Sequence, residues 1–190
     1  VWKSKDTNLV DNLIRVYDGA LGDKQCDYLI DMFERYSALQ EIQVNAYGQT
    51  LTRMNLMADK FSPFKEDLEY LGNVFVGGVR KYKEEIGILP SQWPEKYTLE
   101  AMKIKKYEHN GQDSFPTHVD VNSLDNCKRF LVMFIYLTDN EGGETLVQDF
   151  VSPCKKGSII IFPPYWPWLH SGEKPIDTPK YILGSYLHYV

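Results

Sequence analysis

Histidine and cysteine are scarce in this 190-residue chain, with four of the first and three of the second. The cysteines, at 26, 127 and 154, never reach C-x-x-C spacing, so neither a disulfide framework nor a structural zinc site is expected. A reducing, cytoplasmic setting is the simpler expectation. No stretch nears the roughly 18 apolar residues of a membrane-spanning helix, and the N-terminal residues lack the order of a signal peptide, so no membrane partner is expected. Positive charge is also in deficit. Twenty-one Lys and Arg face 26 Asp and Glu, giving a net charge of −5, which argues against a nucleic-acid partner. The one basic cluster, Lys103, Lys105 and Lys106, reads as the exposed face of a strand rather than a nucleic-acid contact.

Aromatic residues are plentiful. Thirteen Tyr, nine Phe and four Trp make 14% of the chain, enough that some are expected in a pocket rather than in packing alone. At this length, with 43% hydrophobic residues, one well-buried core is expected, hence a single domain over 1–190. Residues 13–17 pattern as a strand. A helix follows from about Asp23, with Cys26, Leu29, Ile30, Phe33 and Tyr36 as its apolar stripe. Residues 41–59, with a turn at Tyr47-Gly48, read as a hairpin or a mobile loop. Ser62-Pro63 predicts the start of a long amphipathic helix carrying Phe64, Leu68, Leu71, Phe75, Val79, Tyr82 and Ile86 and ending near Gly87. Gly77-Gly78 inside it is unfavourable unless something packs closely there.

From about residue 98 the pattern changes to short extended segments between turn signals, clearest at 129–138, 157–162 and 180–190. Helices in a supporting region over 1–97, followed by many short strands, predict an α+β chain. Its core would be an antiparallel sandwich or barrel with the helices backing one sheet.

The candidate chemistry centres on the loop from Tyr107 into His118-Val119-Asp120. If that tripeptide is extended, His118 and Asp120 share a face and can close on one metal ion. His170, 50 residues beyond Asp120, is the third candidate. Two His and one carboxylate with open positions suit a non-haem Fe(II) oxygenase, although His170 also reads as a core histidine beside Trp168. Lys180 opens the last strand. If buried near the metal it needs an anion, and the far carboxylate of a dicarboxylate would serve. His188 is too far along that strand to replace His170, and His109 sits in an exposed loop.

H-x-D at 118 and 120, the turn Gly142-Gly143-Glu144-Thr145, the distal His170 and a basic residue ten positions later together resemble the Fe(II)- and 2-oxoglutarate-dependent dioxygenases of prolyl 4-hydroxylase type. The resemblance runs from about Leu99 to Tyr189. It implies a double-stranded β-helix (jelly-roll, cupin-like) core with the N-terminal helices packed on one sheet. It also implies iron on His118, Asp120 and His170, and the cosubstrate held by Lys180 and contacted by Tyr107. O2 as the oxidant, ascorbate as the reductant and a proline-containing peptide or protein as substrate complete the expectation. Tyr165, Trp166 and Trp168 are candidate walls for that substrate, or equally a rigid packed turn. Arg53 belongs to a stretch that reads as a covering loop or as a plain hairpin. Hydroxylation of another side chain or a small molecule, or a non-catalytic cupin-like protein, are the rival readings.

Overall fold

The computed structural model describes residues 13–44, 48–58 and 63–190. In chain order the elements are β1 (Arg15–Tyr17), α1 (Asp23–Arg35), β2 (Glu41–Val44), β3 (Thr50–Asn55), α2 (Leu68–Ile86), β4 (Tyr97–Leu99) and β5 (Lys103–Tyr107). There follow β6 (Phe115–His118), β7 (Arg129–Tyr136), β8 (Thr145–Val147), β9 (Phe150–Ser152), β10 (Ile159–Phe162), β11 (His170–Gly172) and β12 (Lys180–Tyr189).

Strand alternation decides the architecture. The larger sheet runs β1-β10-β7-β12-β5-β3-β2, with β4 also on β12, and every pairing in it is antiparallel. Along β12, Tyr181, Leu183 and Leu187 enter one hydrophobic cluster with Phe33 of α1 and Phe75 of α2, while Ile182 enters a second with Tyr186 packed against it. Successive side chains of a strand point to opposite faces, so one sheet serves two cores. The second core, with Val132, Phe134, Tyr136, Ile160 and Phe162, lies between this sheet and a smaller one ordered β6-β11-β8-β9. The result is the α+β double-stranded β-helix, with helices on the outer face of one sheet.

Both helices occur where the periodicity predicts them, with shifted details. In α1 the buried stripe is Cys26, Leu29, Met32 and Phe33. Tyr36 falls outside it, because the helix has ended there and the ring is 38% exposed. The start of α2 at Leu68 is later than the Ser62-Pro63 signal implies. Residues 63–67 form turns in which Asp67 and Leu68 donate to the Phe64 carbonyl, and fully buried Phe64 anchors this approach from outside the helix. Ser62, like Tyr47, lies outside the described residues.

The glycine pair in α2 divides by face. A Cβ on Gly78 would lie 3.1 Å from Ile159 and 3.3 Å from Ile161, whereas Gly77 meets nothing within 4 Å. Close approach of α2 to β10 therefore depends on Gly78 alone. Gly78→Leu should lower unfolding stability by about 1–3 kcal/mol through overpacking. Gly77→Ala should raise it by up to about 1 kcal/mol. Urea midpoints of the two variants against the parent check both signs.

The 41–59 stretch contains a hairpin. In it Glu41 faces Arg53, and Arg53 in turn registers with Lys105, so β2 and β3 extend the larger sheet past β5. The basic cluster is not one exposed face. Alternation sends Lys103 and Lys105 to the inner side, while Lys106 turns outward to Glu34 of α1 at 3.0 Å and to Glu108 at 2.7 Å. Among the described residues, no helix is long and apolar enough to cross a membrane.

Candidate functional site

His118 ends β6 and His170 opens β11, and the two stand directly opposite in the antiparallel register. Residues far apart in sequence thus become cross-strand neighbours, with ring centroids 4.2 Å apart. Asp120 lies just past the end of β6, so the tripeptide is only partly strand. Its position is fixed by Val121, whose N–H donates to the Pro164 carbonyl at 3.1 Å. One nitrogen from each imidazole and one Asp120 oxygen all fall within 4.8 Å of one another.

The hydrogen bonds around the cluster select its chemical state. His118 Nδ1 is 2.8 Å from the Pro116 carbonyl, and His170 Nδ1 is 2.9 Å from the Trp168 carbonyl. A carbonyl only accepts, so both Nδ1 atoms carry the proton, and in the neutral rings both Nε2 lone pairs are free. Burial favours the neutral form of His170 and holds its pKa below the usual value. Burial opposes ionisation of Asp120, but the imidazoles of His118 and His170 when protonated, and the Tyr186 hydroxyl, outweigh it and hold the carboxyl below its usual range. Tyr186 donates to Asp120 Oδ1 at 2.6 Å. Asp120 Oδ2 is buried without a hydrogen-bond partner and lies 3.3 Å from His170 Nε2. An orphaned carboxylate oxygen beside two imidazole lone pairs is the donor set of a divalent cation, so these residues fit a metal.

The same pocket reaches Lys180 and is walled by Tyr107, Phe115, Val132, Phe134 and Ile182. Lys180 is 2% exposed and makes no ion pair with a carboxylate of the described residues. Burial presses its pKa down to about 8. Its ammonium lies 5.4 Å over the Tyr107 ring and 5.7 Å over that of Tyr136, and Tyr107 is its register partner on β5. Gly143 explains the Gly142-Gly143 turn: at φ 68° it takes a left-handed conformation, and a Cβ there would stand 3.3 Å from Lys180 Cδ.

The aromatic run near 165 does not wall this pocket. Trp168 donates its N–H to the Tyr165 carbonyl in a tight turn, which leaves Trp166 81% exposed and packs Tyr165 toward the helix-side core. The run acts through its backbone instead, because Pro164 and Trp168 supply the carbonyls that hold Val121 and His170. Arg53 is separated from the metal cluster by Lys105 and pairs with Glu41 at 2.9 Å. His188 meets Glu100 at 3.4 Å, away from the cluster. Two ionisable residues beyond the sequence expectation line the pocket, Lys105 and Tyr186. Even spacing flags both, since Lys105 is two from Tyr107 and Tyr186 six from Lys180.

Residues 102–188 match the 2OG-Fe(II) oxygenase superfamily. No curated protein matches the chain in sequence. Among solved structures, the fold is similar to the viral collagen prolyl hydroxylase of Paramecium Bursaria Chlorella virus-1 in its 2OG complex, with 20% identity, TM-score 0.69, and 96% of this chain and 99% of that one covered. It is also similar to a Trichoplax adhaerens prolyl hydroxylase in complex with a hypoxia inducible factor peptide, at 14% identity and TM-score 0.71, covering 94% and 84%. A Pseudomonas putida prolyl-4-hydroxylase aligns at 14% identity and TM-score 0.63, covering 95% and 97%. At these identities the structural likeness bears on the fold.

Proposed function

We propose that this chain, a 2OG-Fe(II) oxygenase over residues 102–188, hydroxylates a prolyl residue in a peptide or protein. The observation that carries the oxygenase reading is one pocket holding both an open His-Asp-His donor set and a buried lysine without a carboxylate partner. The prolyl assignment takes its support from the prolyl hydroxylases among the structural neighbours.

In this reading His118, Asp120 and His170 hold Fe(II). Bound iron with 2-oxoglutarate and O2 supplies hydroxylation of a C–H bond, with succinate and CO2 as coproducts and ascorbate as reductant. The protein's own part is placement. Backbone carbonyls at Pro116 and Trp168 keep both imidazoles aimed inward as neutral donors. Tyr186 occupies one oxygen of Asp120, so the carboxylate presents the other. Lys180 binds the far carboxylate of 2-oxoglutarate and Tyr107 lies along its stem, where the apolar walls exclude water. The extended edge formed by β2 and β3, with Arg53, borders the approach of the peptide.

The test is mass spectrometry of a proline-containing peptide panel incubated with Fe(II), ascorbate and 2-oxoglutarate. At least one peptide should gain one oxygen on the proline ring and stimulate succinate release, and its Pro→Ala counterpart should do neither. Succinate release that responds only to a free amino acid or another small molecule would move the assignment to that substrate class.

A further inference from the structure

A second cavity, of about 170 Å³, adjoins the metal pocket and shares Lys105, Phe115, Val132, Phe134, Ile182 and Tyr186 with it. Its ionisable lining is lopsided: Arg53, Lys103, Lys105 and Arg129 against Glu100. Two of these cations are satisfied internally. Arg129 makes two hydrogen bonds to Glu100, at 2.7 and 2.8 Å, and Arg53 pairs with Glu41. Lys103 and Lys105 make no ion pair with a carboxylate of the described residues.

In a chain of net charge −5, two unpaired lysines converging on a concave surface are not a general surface property. Positive groups lining a cleft with low-dielectric walls focus their field into it and raise the local concentration of anions. Lys105 stands where the two cavities meet, with its ammonium 4.9 Å from the Phe115 ring centroid and apolar Val132 and Ile182 nearby. The carboxylate that acts on Lys105 is Asp120, in the shared pocket, and a cation on the His-Asp-His set would take up that charge, so a bound anion would stabilise the ammonium. The cosubstrate's far carboxylate is assigned to Lys180, which registers with Tyr107, one alternation along the sheet from the Ile182 and Lys105 pair. An added anion for Lys105 therefore has another source, and the adjoining cavity shares a wall with the metal pocket.

We propose that the substrate segment carries an Asp or Glu within two residues of the reacting residue, and that Lys105, backed by Lys103, receives its carboxylate. The assignment rests on the peptide reading above and names its substrate class. Lys105 acts here on selectivity: it makes an acidic segment the preferred one and rejects a basic one by like-charge repulsion.

The experiment uses matched proline peptides with Glu, Gln or Lys at each of the two positions on either side of the proline. Binding is measured by calorimetry with the metal-loaded protein and 2-oxoglutarate, in parallel with oxygen incorporation. At one or more positions Glu should bind at least tenfold tighter than Gln, with the advantage shrinking as salt is raised. Lys105→Gln should erase the difference between Glu and Gln peptides, and Lys105→Glu should favour the Lys peptide. Equal binding of Glu and Gln peptides by the unmodified protein overturns the proposal and needs no variant to fold. A Glu preference that survives Lys105→Gln also overturns it, as does a Lys105→Gln effect confined to 2-oxoglutarate. A Glu preference dependent on Lys105, without oxygen gained on any proline, keeps the acidic-substrate assignment and retires the prolyl one. Equal oxygen gain on Glu and Gln peptides, with equal binding, does the reverse.

Discussion

Asp120→Ala yields a folded chain that no longer retains Fe(II) and releases no succinate from 2-oxoglutarate. Asp120 is the only carboxylate in the three-residue donor set, so its loss removes the one negative charge offered to the cation. It also leaves the Tyr186 hydroxyl without its acceptor. The fold should tolerate the change, because Asp120 lies in a bend beyond β6 and the neighbouring Val121 N–H bond to Pro164 uses backbone atoms alone. Metal content by atomic absorption and far-UV circular dichroism together separate loss of the site from loss of the fold. Removing a ligand or its supporting hydrogen bond costs metal affinity in stages, and outer partners typically contribute 10- to 100-fold. Tyr186→Phe should accordingly weaken metal retention by about that factor, whereas Asp120→Ala should abolish it. Normal iron content in Asp120→Ala would remove the central assignment.

Lys180→Ala raises the KM for 2-oxoglutarate by about 30-fold or more, following a loss on the order of 2–5 kcal/mol when one partner of a buried charge pair is deleted. The pH dependence has a definite sign. With its pKa at about 8 in the free protein, Lys180 carries its charge at neutral pH and loses it as pH rises through 8. A carboxylate ligand binds the charged form, so affinity for 2-oxoglutarate should fall above that pH. In Lys180→Arg the guanidinium does not titrate, and any remaining affinity should be flat over the same range. Depression from 10.5 to about 8 also means that the folded chain disfavours the ammonium, by on the order of 3 kcal/mol. This group opposes folding below pH 8, and its opposition fades as pH climbs toward 10.5. A dicarboxylate offsets the penalty, so 2-oxoglutarate should raise the Tm most clearly near neutral pH. Thermal scans with and without it across pH 6.5–9.5 check the direction.

Much of the fold was legible because its signals are local. Strand alternation in β12, the continuous apolar run of β7 and the spacing of Leu71, Phe75, Val79 and Tyr82 in α2 each report which face meets a core. The onset of α2 was less legible, since a Pro following Ser marks a helix start equally well when tertiary burial of Phe64 delays it. The His-Asp-His set could be named from ordered spacing, yet the reason His118 and His170 meet is a cross-strand register that no spacing rule supplies. For Trp166 and Trp168 the sequence leaves a substrate wall and a rigid packed turn equally open, because composition does not say where rings point. The structure shows a turn there, whose carbonyl oxygens hold Val121 and His170. Lys105 was hidden by its neighbours, because three lysines close together resemble a solvated face until alternation separates them.

Strand β12 carries Lys180 at its start and Tyr186, the partner of Asp120, six residues further on, and it is paired to β5 on one side and to β7 on the other. Sliding it by one residue would turn Lys180 out of the pocket and put Tyr181 in its place, so the strand has no gradual way to lengthen or shorten the interval between Lys180 and the His-Asp-His set. In the function proposed above, where Lys180 receives the far carboxylate of 2-oxoglutarate, the strand is in effect a fixed gauge for the diacid, walled by Tyr107, Val132 and Phe134. Length selection would then come from backbone pairing, a discrimination that substitutions in the pocket walls weaken but do not re-centre.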